Sequence, residues 1–177
     1  LAKNVFQVHG IDDHGKVLLK KQLRRHQVSG FFVNLPPCLI GMEACGSAHH
    51  WARVLGKLGH EVELLPAAQV RPFVRSNKDD AADARAIWVA AQQSDIRRVP
   101  LKSVAQQASL ALHRSRQHWV SVRTATINAL RGTLYEFGVT LAGGKHAGLK
   151  ALTTHRAEID AKIPATIQRL IDGQLAT

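Results

Sequence analysis

Carboxylates are scarce in this chain. Its 177 residues hold 24 Lys plus Arg against 13 Asp plus Glu, giving a formal charge of +11 and a pI near 10.4. That imbalance points to a polyanionic partner, and nucleic acid is the first candidate. Aromatic residues are few, at 5% of the chain, which argues against a stacking platform for single strands. Cysteine occurs only as Cys38 and Cys45, with no C-x-x-C spacing. That excludes a zinc site or a disulfide scaffold, and both read as buried thiols. Long apolar runs are missing too: none approaches the roughly 18 residues of a membrane span. No signal peptide opens the chain, so a reducing cytoplasm is the expected compartment. What is present suffices for a packed core, with 45% hydrophobic and 21% charged residues, which suits one domain or one domain with an appendage.

Hydrophobic periodicity organises the chain. VFQVHGI alternates as a strand, DDHG supplies a turn, and KVLLKKQL follows as the second arm of a hairpin. HQVSGFFVNL reads as a short helix ended by Pro36 and Pro37. CLIGMEA is an apolar run of the buried-strand kind, with Glu43 at its far end. AHHWARVLGKLG is a helix stopped by Gly59, HEVELLP another strand, and 97–100 closes an α/β core of about 1–97. A long amphipathic helix over about 102–137 comes next. Leu112, Trp119, Val122, Leu130, Leu134 and Phe137 form its apolar stripe, with Arg116, Arg123 and Arg131 in a row beside it. The reading places one domain over 1–138, its first strand cut short. A linker and the start of a helical section, broken near Pro164, occupy 139–177.

The scarce acids are not scattered. NKDDAADARAI places three aspartates within five positions at a helix start. An aspartate there is often only a cap that meets the helix dipole. Asp80 and Asp83, three apart, also share one helix face, about 5–6 Å between their Cβ atoms. Carboxylates held so close repel, and a cation between them relieves the cost. Hairpin, helix, strand, helix, strand, helix is the order expected of a ribonuclease H-like fold, in which carboxylates converge from strand ends and a following helix. Glu43 sits at such a strand end. Oxygen ligands favour Mg²⁺ or Mn²⁺, and a pair of ions about 3.5–4 Å apart suits phosphoryl transfer.

LAKNVFQVHGID, GMEACGSAHHWAR, KDDAADA and RTATINALRGTLYEFG, in that order, resemble the DEDD transposases of bacterial insertion sequences, the IS110 group. The likeness covers nearly the whole chain. It implies a RuvC-like, ribonuclease H-type α/β domain with a mixed sheet and flanking helices, followed by a long helix and a coiled-coil extension. It also implies a DNA recombinase guided by a structured RNA from the element, working as a homo-oligomer at the bacterial nucleoid. Glu43, Asp80 and Asp83 take the second to fourth letters of the tetrad as catalytic metal ligands, and Asp79 stands where the family carries threonine. The first aspartate falls just before Leu1, and the family's serine domain is absent, so the resemblance implies a catalytic fragment inactive by itself. Lys78, Arg116, Arg123 and Arg131 are the candidate nucleic-acid contacts, with a solvated face the plainer account of each arginine taken singly. His49 and His50, neighbours on a helix, diverge by about 100° and do not readily share one ion. Two other readings stand beside the recombinase: a nuclease of the Holliday-junction-resolvase type, and a non-catalytic nucleic-acid-binding or dimerisation module.

Overall fold

The computed structural model describes residues 4–12, 14–74 and 80–175, without the side chains of 80–82 and 145–146. The chain divides into two compact units, Leu1–Ser103 and Val104–Thr177.

The first unit is α/β. β1 (Val5–Ile11) and β2 (Val17–Arg24) form an antiparallel hairpin, with Phe6 opposite Leu23 and His9 opposite Lys20. Its turn is closed by Asp12, whose carboxylate accepts from the backbone N–H groups of His14 and Lys16 at 3.0 and 2.8 Å. α1 (Val28–Phe32) leads to β3 (Leu39–Glu43), α2 (Ala48–Lys57) and β4 (Glu61–Leu65). β3 and β4 are parallel, from Leu39 opposite Glu61 to Glu43 opposite Leu65. α2 makes the crossover that parallel pairing requires. One mixed sheet was the expectation. Among the described residues the strands instead pair two by two, β1 with β2 and β3 with β4. A shared core joins the pairs: Phe6, Leu23, Met42 and Leu64 meet beneath Trp51 and Leu55 of α2. Phe6 and Trp51 pack edge to face at 5.1 Å, and the Arg25 guanidinium lies over both rings.

His60 latches this core. It is 5% exposed, its Nε2–H donates to the Phe32 carbonyl at 2.9 Å, and its Nδ1 accepts from the Cys38 N–H at 3.3 Å. The end of α1 is thereby tied to the segment entering β3. His60→Ala strands a buried carbonyl and is expected to cost about 1–3 kcal/mol, read as a lower urea midpoint with unchanged slope; an unmoved midpoint would show that water replaces the ring. The two cysteines, expected to be buried, are not: Cys38 is exposed and Cys45 half-exposed. Their place at the mouths of β3 puts them at the sheet's ends, outside its packed centre. Partial burial still pushes the Cys38 thiol above its usual range.

α3 (Ala67–Val70) follows β4, and α4 (Asp80–Ala91) completes the unit. Ala86 and Ala90 pack with Leu65, Val70 and Ile96 in a second cluster.

The second unit is helical: α5 (Val104–Tyr135), α6 (Lys145–Thr154), α7 (Arg156–Asp160) and α8 (Ala165–Leu175). Leu130, Leu134, Val139, Leu152, Ile159, Ile163 and Ile171 make its core. α5 ends where Gly138 takes φ +71, which lets the Val139 N–H return to the Leu134 carbonyl at 3.0 Å. Arg156 pairs with Asp160 on its own helix and ties α7 to α8 through Asp172, each at 2.8 Å. The apolar stripe expected along α5 is buried only at its C-terminal end, at Leu130 and Leu134 together with Ile127. Leu112 and Trp119 are 74% and 63% exposed, and Val122 and Phe137 are exposed as well. The helices that cover α5 reach only its last turns, so its first two-thirds have nothing of this unit to pack on. No helix among the described residues is long and apolar enough to cross a membrane.

Candidate metal and nucleic-acid site

β3 decides where Glu43 points. Side chains alternate along a strand, and Met42 enters the core beneath α2. Gly41 and Glu43 therefore share the opposite face. That face belongs to α4: a Cβ at Gly41 would lie 3.3 Å from Ile87 and 3.6 Å from Ala91. Glycine is what allows the helix this close. Ile87 and Ala91 recur with Asp80 and Asp83 along one stripe of α4 at three- and four-residue steps. Ala86 and Ala90, one position round, pack on Leu65, the register partner of Glu43. α4 thus covers the C-terminal ends of β3 and β4, where strand-end side chains emerge.

Glu43 is half-buried, and its carboxylate has neither hydrogen bond nor ion pair among the described residues. Glu61, Asp95 and Glu136 also lack a side-chain partner but are exposed. The other half-buried acids are held, Asp12 by backbone N–H groups, Glu63 by Arg98 and Asp160 by Arg156, so Glu43 alone among the described acids is both half-buried and unpaired. Asp83 is exposed and likewise unpaired. Asp80 opens α4, and its side chain lies outside the described residues, as do Lys78 and Asp79 altogether. Among the described residues, whose side chains include Glu43 and Asp83 but not Asp80, no three of His, Cys, Asp and Glu form a metal cluster. Four residues past Glu43, Ser47 holds φ +68, the one non-glycine positive φ among the described residues. Strained backbone of this kind concentrates at functional sites.

Two groups near the site, Arg98 and His9, were not singled out from sequence, whereas His49 was weighed there as a metal ligand. Arg98 fastens the far end of α4: its Nε donates to Glu63 at 2.7 Å, and its terminal nitrogens donate to the carbonyls of Ala91, Gln93 and Ile96. Nothing in the motif pattern marks it, because its partners come together only in the fold. His9 lines a shallow cleft on the hairpin with Lys20, Gln22 and Ala84. Burial, then Lys20 and Arg85, hold its pKa below the usual histidine range. His49 is lowered in the same way by burial, Lys102 and Arg53, and its two ring nitrogens face the Lys102 N–H and Nζ at 3.3 and 3.2 Å. The cations beside these two histidines are Lys20 and Arg85 for His9 and Lys102 and Arg53 for His49.

Of the arginine row, Arg116 and Arg123 are exposed. Arg131 is half-buried and gives two hydrogen bonds from Nη2, to the carbonyls of Ala142 at 2.9 Å and Gly144 at 2.6 Å. It fastens the 141–144 loop to α5.

A family model described as a transposase, of the DEDD IS110 type, matches residues 1–139. The chain is 49% identical over 172 residues to a "Probable family 20 transposase" of Pseudomonas aeruginosa, covering 97% of this chain and 51% of that protein. It is 39% identical over 171 residues to the "Transposase for insertion sequence element IS1328" of Yersinia enterocolitica, covering 97% and 50%. Against the "Transposase for insertion sequence element IS1111A" of Coxiella burnetii the identity is 42% over 144 residues, covering 81% and 40%. The chain therefore spans about half the length of these curated relatives. No solved structure matches it.

Proposed function

The chain belongs to the IS110-type DEDD transposase family, and on that premise we propose that it is the metal-binding catalytic part of an insertion-sequence DNA recombinase. Glu43, Asp80 and Asp83 are its metal ligands. The observation that carries this is Glu43: a half-buried, unpaired carboxylate at the end of β3, on the face covered by the helix that bears both aspartates. No group of the chain competes for this carboxylate among the described residues, which leaves its oxygens available to a cation.

The donors fit a hard divalent ion, being carboxylate oxygens with no thiolate or imidazole among them. Mg²⁺ or Mn²⁺, as a pair in the complete site, would activate an attacking oxygen and stabilise the leaving one. The protein's part is to hold the carboxylates. β3 fixes Glu43 through its ladder with β4, and Arg98 fixes α4. A ribonuclease H-like sheet is supported by the two open edges, on β1 and β3, that share one core beneath α2 and one covering helix, α4. In a ribonuclease H-like sheet a further strand, bearing the tetrad's first aspartate, would lie between them. DNA is the substrate, and a structured guide RNA and further copies of the chain are partners. Lys78, Arg116 and Arg123 meet phosphates, while Arg131 adds charge from a fixed position. The domain boundary near residue 138 and a coiled-coil continuation belong to the same proposal.

Calorimetric titration with Mn²⁺ tests it. Glu43→Gln and Asp83→Asn should each weaken binding about tenfold or more, as losing one charged ligand does, while Glu61→Gln at the opposite end of β4 should leave it unchanged. Equal affinities in all three variants would overturn the assignment. Metal-dependent cleavage of branched DNA without strand joining would instead favour the resolvase-type nuclease.

A further inference from the structure

α5 carries an exposed aromatic where an amphipathic stripe predicts a buried one. Trp119 is 63% exposed, and Leu112, seven residues earlier, is 74% exposed. A full turn is 3.6 residues, so Arg116, Trp119 and Arg123 fall within an arc of about 60°. Along the axis the indole lies about 4.5 Å from one arginine's level and about 6 Å from the other's. Both arginines are exposed. The ring contact of Trp119 with His118 is of the edge type, centroids 5.5 Å apart, so at least one indole face is open.

Charge decides what covers this face. From Ile96 to Tyr135 the chain contains no Asp or Glu, while α5 contributes Arg114, Arg116, Arg123 and Arg131. A second copy packed along α5 would set arginine against arginine with no acid to offset it, contrary to the complementary flanking charges that pair helices. A polyanion meets no such penalty. A duplex offers phosphates but hides its base faces, which leaves the indole and Leu112 wet. Unpaired nucleotides offer both phosphates and π-faces.

We propose that Trp119 stacks on an unpaired nucleic-acid base while Arg116 and Arg123 hold the phosphates on either side of it. The inference rests on the nucleic-acid reading above and adds a preference for unpaired strand; the low aromatic content argues against a platform of several stacked bases, and the exposed Trp119 provides for one. The shared chemistry is a base face beside phosphodiesters, and it can come from a displaced DNA strand or from a loop of RNA.

The test is fluorescence anisotropy with the 177-residue chain and three labelled probes: a short single-stranded DNA, the same sequence as RNA, and the DNA duplex. Trp119→Ala should weaken binding of the single strands roughly five- to a hundredfold, change duplex binding far less, and leave the salt slope intact. Trp119→Phe should recover most of the loss, since a smaller ring still stacks. Arg116→Ala with Arg123→Ala should lower the salt slope on all three probes. The DNA and RNA arms separate the two sources by which single strand loses more. If the arginine variants weaken binding and Trp119→Ala does not, stacking is overturned and the nucleic-acid reading stands. If the unaltered chain binds none of the probes, both fall. If sedimentation shows a dimer that Trp119→Ala dissolves, the face is a self-contact and the proposal is wrong. Folding does not confuse these outcomes, because the buried residues of α5 begin only at Ile127.

Discussion

Glu43→Gln, placed in a full-length transposase, should reduce strand transfer on the order of a thousandfold or more. The substitution keeps the size of the side chain and removes its charge. A divalent ion in phosphoryl transfer supplies several kcal/mol of charge stabilisation, and each 1.36 kcal/mol is about a factor of ten in rate. Losing a ligand from a shared site forfeits a large part of that. Stability should hold or rise slightly, because Glu43 makes no hydrogen bond or ion pair that the amide would break. This combination separates a metal ligand from a structural acid. The contrasting case is Glu63, whose carboxylate takes the Arg98 Nε–H at 2.7 Å. Glu63→Gln should lower the melting temperature first and activity only as a consequence. The assay is strand joining on labelled donor and target DNA, run beside thermal melts of each variant. Retained joining in Glu43→Gln would remove Glu43 from the metal site whatever its position on β3.

Leu134→Ala should cost about 2–5 kcal/mol, the range for emptying a well-packed leucine site. Leu134 is 0% exposed at the centre of the helical unit, between α5 and the helices that fold back on it. A loss of that size is a large fraction of what holds a unit of this kind together, so the second unit should unfold at markedly lower urea. Leu112→Ala lies on the same helix, in the same sequence stripe. At 74% exposure it should change stability by no more than about 0.5 kcal/mol. Urea titrations followed by circular dichroism compare the two directly. Equal costs would mean that the first turns of α5 are covered after all, and the stacking surface assigned to Trp119 would go with them.

The contrast between Leu112 and Leu134 marks how far the sequence reaches. By itself it determined the element order as far as α5, apart from the short α3, because alternation at period two and recurrence at three and four residues are local properties of the chain. The hairpin, β3 ending at Glu43, the crossover helix, α4 opening at Asp80 and the long α5 were all legible in this way. It also determined the family, since four motifs in order are a property of the string. Tertiary structure alone decided what each face meets. Periodicity says that Leu112, Trp119 and Leu134 share a stripe, but burial depends on whether other helices reach it, and they reach only the end of α5. Charge alone likewise made Arg131 equivalent to Arg116, while the fold turned its guanidinium onto the carbonyls of Ala142 and Gly144. Cys38 and Cys45 read as buried because no spacing marked them as ligands or a disulfide pair, yet they sit at strand ends, where a buried run meets water. The isolation of Glu43 is of the same kind. No spacing rule reveals that an acid lacks a partner, because the cations that could have paired with it are brought near or kept away only when the chain is folded.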